Sequence, residues 1–384
     1  MKDERLGQYA LLWLLGLYLR LTVMIVPPLS LKLEAALGFS TGQVALAVSL
    51  PSLLIGGGAL VSAWLISRFG VVSTVAAGIC IMAVGSALRS APFSFSFFLL
   101  ATVTMGFGIA LMQIGMPVLA RRWSPTKIGR ASAVYANGLL VGELLAAALT
   151  GPVVAQLLGE QWLLAFTVWV VPVPVIALLL MRQREAEKAA AEPMPLDVAQ
   201  VSWRDPLLWR VAILLGAAGS LFYAGNIYLP QILAKSARLT LIDPGLTVLN
   251  GAQLISSAVL MIYADRLLGR VWPLVLTLGL GLLSIPTLLW LPGYSVMAAA
   301  ALLGIAASAL FIFGVTLPAW LVPMHQVARM AAGVTVVANV LTFILPASAA
   351  WLTDATGSIP VGFLPIAGAS LLAVWAAAGI KTRE

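Results

Sequence analysis

Cysteine and histidine are almost missing from this chain of 384 residues, which holds one of each, Cys80 and His325. A single cysteine excludes any intrachain disulfide, and a lone histidine cannot build a histidine metal cluster, so neither a metal site nor a cofactor is expected. No phosphate-cradling Gly-x-x-x-x-Gly-Lys loop occurs, which argues against ATP-driven work within the chain. Charge is scarce as well: Asp, Glu, Lys and Arg make up 9% of the residues, against about 25% in soluble domains. Apolar residues, at 61%, take their place. That composition, in runs long enough to cross a bilayer, describes a polytopic membrane protein.

The apolar runs fall at about 8–33, 41–66, 71–88, 97–119, 130–156 and 162–181, then at 206–233, 244–264, 273–290, 296–321, 328–352 and 360–380. Between the two sets lies a polar, charged stretch. The expected architecture is an all-α membrane protein of twelve transmembrane helices: an N-terminal six-helix bundle over 1–181, a cytoplasmic linker over 182–205 and a C-terminal six-helix bundle over 206–384. The first run follows Lys2 and Arg5 as a signal peptide would. It is too long for one and lacks a small-residue cleavage site, so it is expected to stay.

Positive charge sets the orientation. With both termini inside, only Lys32, Arg89, Lys235 and Arg238 of the 22 basic residues fall toward the outside, and Arg20 alone falls in mid-span. This bias predicts N-in and C-in topology, and it explains the net charge of +8 without any nucleic-acid partner. An internal repeat fits the same plan. Ser67-Arg68-Phe69-Gly70 follows the second run and Asp265-Arg266-Leu267-Leu268-Gly269-Arg270 follows the eighth, an offset of 266 − 68 = 198. Two halves in one orientation make a parallel repeat.

Arg20 is the sharpest chemical signal. About 20 helical residues cross a core of about 30 Å, which puts this arginine some ~15 Å from either surface. A charge there costs about 2.5–3.5 kcal/mol on insertion scales and roughly 10–17 kcal/mol in simulations, so it demands a partner, water or a ligand. Its planar fork suits carboxylates and other oxyanions. The bland alternative is a structural charge pair, and Glu143, at similar depth in the fifth run, could supply it. A carboxylate there could also serve coupling or gating, because desolvation raises its pKa and a neighbouring arginine lowers it. Tyr223, Asn226 and Pro230 stand at i, i+3 and i+7 on one helical face, and Gln113 precedes Pro117 in the fourth run. These could meet a solute or simply bond to neighbouring helices.

The two loops resemble the major facilitator superfamily, whose signature runs Gly-x-x-x-Asp-Arg-x-Gly. Asp265, Arg266, Gly269 and Arg270 follow it with one inserted residue and Met261 at the leading glycine; the first copy keeps Arg68 and Gly70, with Ser67 at the acid. Leu19-Arg20, Pro27-Pro28, Ser49-Leu50-Pro51, Gly115-Met116-Pro117 and Tyr228-Leu229-Pro230 resemble the cyanate permease and 2-nitroimidazole transporter branch. Leu21 and Tyr228 stand where that branch has proline and tryptophan. The resemblance implies that the first and fifth helices are neighbours and that the first, fourth, seventh and tenth line a cavity. It implies a secondary active transporter, not an enzyme, in the inner (cytoplasmic) membrane, working as a monomer by alternating access. Its partner would be a small anionic or weakly acidic solute, driven by a proton or counter-solute gradient. Arg20, Gln113, Tyr223 and Asn226 would bind the solute, and Glu143, Arg68, Asp265 and Arg266 would couple or gate. Two alternatives stand beside it: export of neutral or aromatic compounds such as nitroimidazoles, and a transporter-like membrane receptor.

Overall fold

The computed structural model describes residues 2–124, 127–183, 201–267, 270–290 and 292–380. Among these the chain is helical throughout, without a strand. Each of the twelve expected runs coincides with helical structure, and ten helical stretches are long and apolar enough to cross a membrane. Large apolar side chains such as Leu100, Leu157, Val171 and Trp375 face outward. A soluble surface would not tolerate so many, whereas lipid does.

The chain folds as two compact units. The first combines Met1–Val26 with Leu54–Leu196, and the second combines Pro27–Leu53 with Asp197–Glu384. The outer end of the first run and the opening of the second therefore fold with the second half of the sequence.

In the first unit, α1 (Lys2–Met24) stops at a turn on Ile25, and α2 begins at Val26. Pro27 and Pro28 explain the break: neither has an N–H to return to Val23 or Met24. α3 (Thr41–Phe69), which belongs to this unit from Leu54 onward, leads into α4 (Val71–Leu88) and α5 (Phe95–Trp123). Ser94 caps α5, its hydroxyl accepting from Phe97 N–H at 3.2 Å. α6 (Ile128–Leu149) runs into a π-helical turn over Thr150–Ala155, where Pro152 interrupts the regular ladder. Short pieces α7 (Gln156–Leu158), α8 (Ala165–Val168) and α9 (Val173–Met181) complete the half.

In the second unit, α10 (Pro206–Lys235) starts with proline in its first turn and the Asp205 carboxylate accepting from Leu207 N–H at 2.9 Å. It is buried along almost its whole length. Around it stand α11 (Ile242–Leu267), α12 (Val271–Trp290), α13 (Val296–Leu321), α14 (Met324–Thr356), α15 (Ile359–Gly362) and α16 (Leu364–Ala378). Gly357 ends α14 in the left-handed region, with φ at 68°, where a side chain would be strained.

Candidate functional site

Arg20 and Glu143 meet. Arg20 Nε lies 3.5 Å from Glu143 Oε1, and the two side chains differ in exposure, 19% for the arginine and 4% for the carboxylate. The acid is enclosed, whereas the arginine side chain keeps part of its exposure.

Small residues make this possible. Tyr9, Trp13, Gly16, Leu17 and Arg20 share one face of α1, and Tyr135, Gly138 and Gly142 share one face of α6. A Cβ on Gly16 would strike the carbonyl of Tyr135, one on Gly138 that of Trp13, and one on Gly142 that of Leu17. The backbones therefore touch, and Gly138-x-x-x-Gly142 is the close-approach spacing of membrane helices. Trp13 Nε1 donates to Asn137 Oδ1 at 2.9 Å, and the Tyr9 and Ser124 hydroxyls are 2.8 Å apart, which fixes the register below the charge pair. Beyond it, Tyr18 donates to the Trp169 carbonyl at 2.9 Å, and Trp169 Nε1 donates to Thr150 Oγ1 at 3.0 Å on the π-helical turn.

The other expected residues are placed as follows. Gln113 is half-buried in α5 of the first unit. Tyr223 and Asn226 belong to the second unit and are almost fully buried. The Tyr223 hydroxyl accepts from Ser52 Oγ at 3.1 Å. Asn226 Oδ1 accepts from Asn250 Nδ2 at 2.9 Å, its own Nδ2 donates to the Phe222 carbonyl at 3.0 Å, and Gln253 Nε2 donates onward to Asn250 Oδ1 at 3.3 Å. This is a buried ladder of amides joining α10 to α11. Arg68 is exposed, its guanidinium carbon 5.8 Å from the Phe69 ring centre, and the neighbouring Ser67 hydroxyl donates to the Trp64 carbonyl. The side chains of Asp265 and Arg266 lie outside the described set.

Sequence reasoning missed two groups. Arg89, read as an outward loop cation, is fully buried within the first unit. In the second unit, Glu34 Oε1 accepts from Gln231 Nε2 at 2.9 Å, and Asp354 Oδ2 accepts from Gly42 N–H at 2.8 Å. Nearby, burial pushes the Asp243 carboxyl up and the charge of Lys32 pulls it partly back. Acids near the ends of apolar runs were the available signal, but their partners lie almost 200 positions or more away.

Comparison with known proteins agrees with this architecture. A model of the Major Facilitator Superfamily matches residues 12–267, more than half of the chain. The chain is 27% identical over 215 residues to the 2-nitroimidazole transporter of Escherichia coli (strain K12), covering 56% of this chain and 54% of that protein. It is 25% identical over 279 residues to the cyanate transport protein CynX of the same organism, covering 73% and 72%. The match thus spans about half the length of the first of these relatives. An inward-open structure of the xylose transporter XylE from E. coli superposes with a TM-score of 0.76 at 13% identity, over 98% of this chain and 96% of that one. That likeness concerns the fold alone.

Proposed function

We propose that this chain, which belongs to the Major Facilitator Superfamily, is a multi-pass inner-membrane secondary transporter that moves a small anionic or weakly acidic solute by alternating access. One observation carries the reading: a mid-span arginine 3.5 Å from its counter-charge, with the arginine side chain 19% exposed and the carboxylate side chain 4%. Full enclosure of both charges would carry the larger desolvation cost, and the partial exposure of Arg20 lowers it while leaving the side chain within reach of a solute. A guanidinium that keeps part of its exposure can also meet an oxyanion, whose geometry its planar fork suits. The printed name of one relative, cyanate transport protein, is in keeping with such a solute.

Arg20 would hold the anion, and Glu143 would exchange its hold on Arg20 for a proton when the anion arrives, coupling the two. Gln113, Tyr223 and Asn226 would orient the solute, the tyrosine and the asparagine after leaving or sharing their present hydrogen bonds. Arg68, Asp265 and Arg266, in the two signature loops, would act as gates. With no ATP-binding loop, the driving force would be a gradient of protons or of a counter-solute.

The test is flux into liposomes containing the purified protein, across cyanate, nitrite, nitrate, small carboxylates and nitroimidazoles. Uptake of an anion that depends on Arg20 supports the reading; flux of none of them sinks it. The second reading, export of neutral or aromatic compounds with Arg20 locked to Glu143, draws on the 3.5 Å approach of the pair and on the 2-nitroimidazole relative. It predicts that nitroimidazole flux survives the exchange of the two charges.

A further inference from the structure

Among the described residues Arg89 is the largest fully buried side chain, and no carboxylate is paired with it. It caps α4, one position beyond Leu88. Its Nη2 donates to the Thr22 carbonyl at 2.6 Å and reaches Ser86 Oγ at 3.3 Å. The guanidinium carbon lies 4.6 Å from the centre of the Phe166 ring and 5.9 Å from that of Phe98, and the two rings meet edge to face. Ser86 also donates to the Phe166 carbonyl at 2.9 Å. Nε and Nη1 of Arg89, and Oγ1 of Thr22, have no protein partner.

A buried cation held by two ring faces and one carbonyl is costly, so its placement needs a reason. The carbonyl it chooses gives one. Thr22, Val23 and Met24 are the last residues of α1, where carbonyls lose their helical donors and the helix dipole is negative. Pro27 and Pro28 ensure that Val23 and Met24 get no continuation, and α1 has no basic residue of its own in its last turn. Arg89 brings from α4 the charge that this helix end lacks.

Two residues separate Thr22 from Arg20, a rise of about 3 Å. Below Arg20, glycine contacts fix α1 against α6; above it the helix is broken, and a charged side chain, Arg89, holds its end. We propose that Arg89 is the positioning residue of the Arg20–Glu143 site: by holding the Thr22 carbonyl it fixes where α1 ends, and with it the rotation that presents Arg20 to Glu143. The inference about the solute rests on the anion reading of Arg20, whereas the positioning itself does not.

The experiment is a set of thermal unfolding curves on the purified full-length protein in detergent. Arg20→Gln and Glu143→Gln are made singly and together, in the native background and with Arg89→Gln. In the native background the double variant should lower Tm by much less than the sum of the singles, because each removes the same pair. With Arg89→Gln the shifts should become additive. A residue that merely tied two helices would lower every Tm alike and leave the non-additivity intact, which overturns the proposal. If Arg89→Gln does not fold, Arg89→Lys replaces it: it keeps the charge but loses the reach, and at least half of the non-additivity should go. Full retention with lysine also overturns the idea. Cyanate counterflow then separates the two readings. Arg89→Lys should raise KM about tenfold with kcat nearly unchanged, as expected for lost presentation of the binding group. Absence of cyanate and nitrite flux in the native protein refutes the anion reading, and the unfolding curves still decide for or against Arg89.

Discussion

Gln231 and Glu34 stand 197 positions apart, and the amide of the first donates a 2.9 Å hydrogen bond to the carboxylate of the second. Asp354 accepts from Gly42 N–H in the same unit, so residues of both sequence halves are tied by two acids and an amide. Gln231→Leu keeps the volume and removes the donor. It should cost about 1–3 kcal/mol, since an acid in partly buried surroundings loses its partner. Ser49, fully buried in the same segment, reports the loosening: Ser49→Cys in a Cys80→Ala background should be labelled faster by an impermeant maleimide once Gln231 is leucine. Unchanged labelling would mean that the bond contributes nothing to closure of the segment.

Lysine in place of Arg20 keeps the charge and loses the fork. If the guanidinium meets an oxyanion, Arg20→Lys should weaken binding of cyanate or nitrite by about tenfold or more while the protein stays folded. Arg20→Glu combined with Glu143→Arg restores the pair without restoring its polarity, so anion flux should stay lost. Titration calorimetry and liposome uptake read both, and full recovery in the exchanged variant would reduce the pair to a structural tie.

The glycine face offers a graded test. Gly142→Val should push α1 from α6, because the new atoms meet the backbone carbonyl of Leu17, which cannot swing aside. Overpacking costs about 1–3 kcal/mol in cores, and the rigid partner puts this case at the upper end. Gly57→Ala is the control: nothing lies within 4 Å of the added carbon, so Tm should hold or rise slightly. Equal shifts for the two would show that the helices are not held by close approach.

Asn250→Leu removes the middle rung of the amide ladder, leaving Asn226 Oδ1 without its donor and Gln253 without its acceptor. Hydrogen bonds between membrane helices contribute about 0.6 kcal/mol on average and up to about 1.7 kcal/mol, so a loss of stability of that order, read as a lowered Tm, is expected. Should Asn226 also serve the solute, the same variant changes KM, because the freed amide adopts a new rotamer.

The spans and the meeting of Arg20 with Glu143 were legible in the sequence because both follow from cost: apolar runs have nowhere else to go, and a mid-span charge must find its opposite. The break after Met24 departs from the single run expected over 8–33, although the paired prolines that cause it stand in the sequence. Arg89 was not legible. A cation one position past an apolar run reads as one that reaches water, and only the fold shows that two phenylalanine rings and the end of another helix enclose it. Gly138-x-x-x-Gly142 was visible but silent, since glycine pairs at that spacing name no partner. The binding of 27–53 to the second half was also hidden, because Glu34, Gly42 and Ser52 find partners that no local pattern points to.

The π-helical turn at Thr150–Ala155 behaves as an extra tooth in a gear. It takes one residue more than an α-helical turn to advance, so everything after it in the chain is rotated by about 100° relative to an uninterrupted helix. Deleting one residue there would mend the helix and misalign its sequel: Thr150 would leave Trp169, and Trp169 would leave Tyr18. An apparent repair of the backbone would thus reach α1 two residues before the arginine, through two hydrogen bonds rather than through any change in charge.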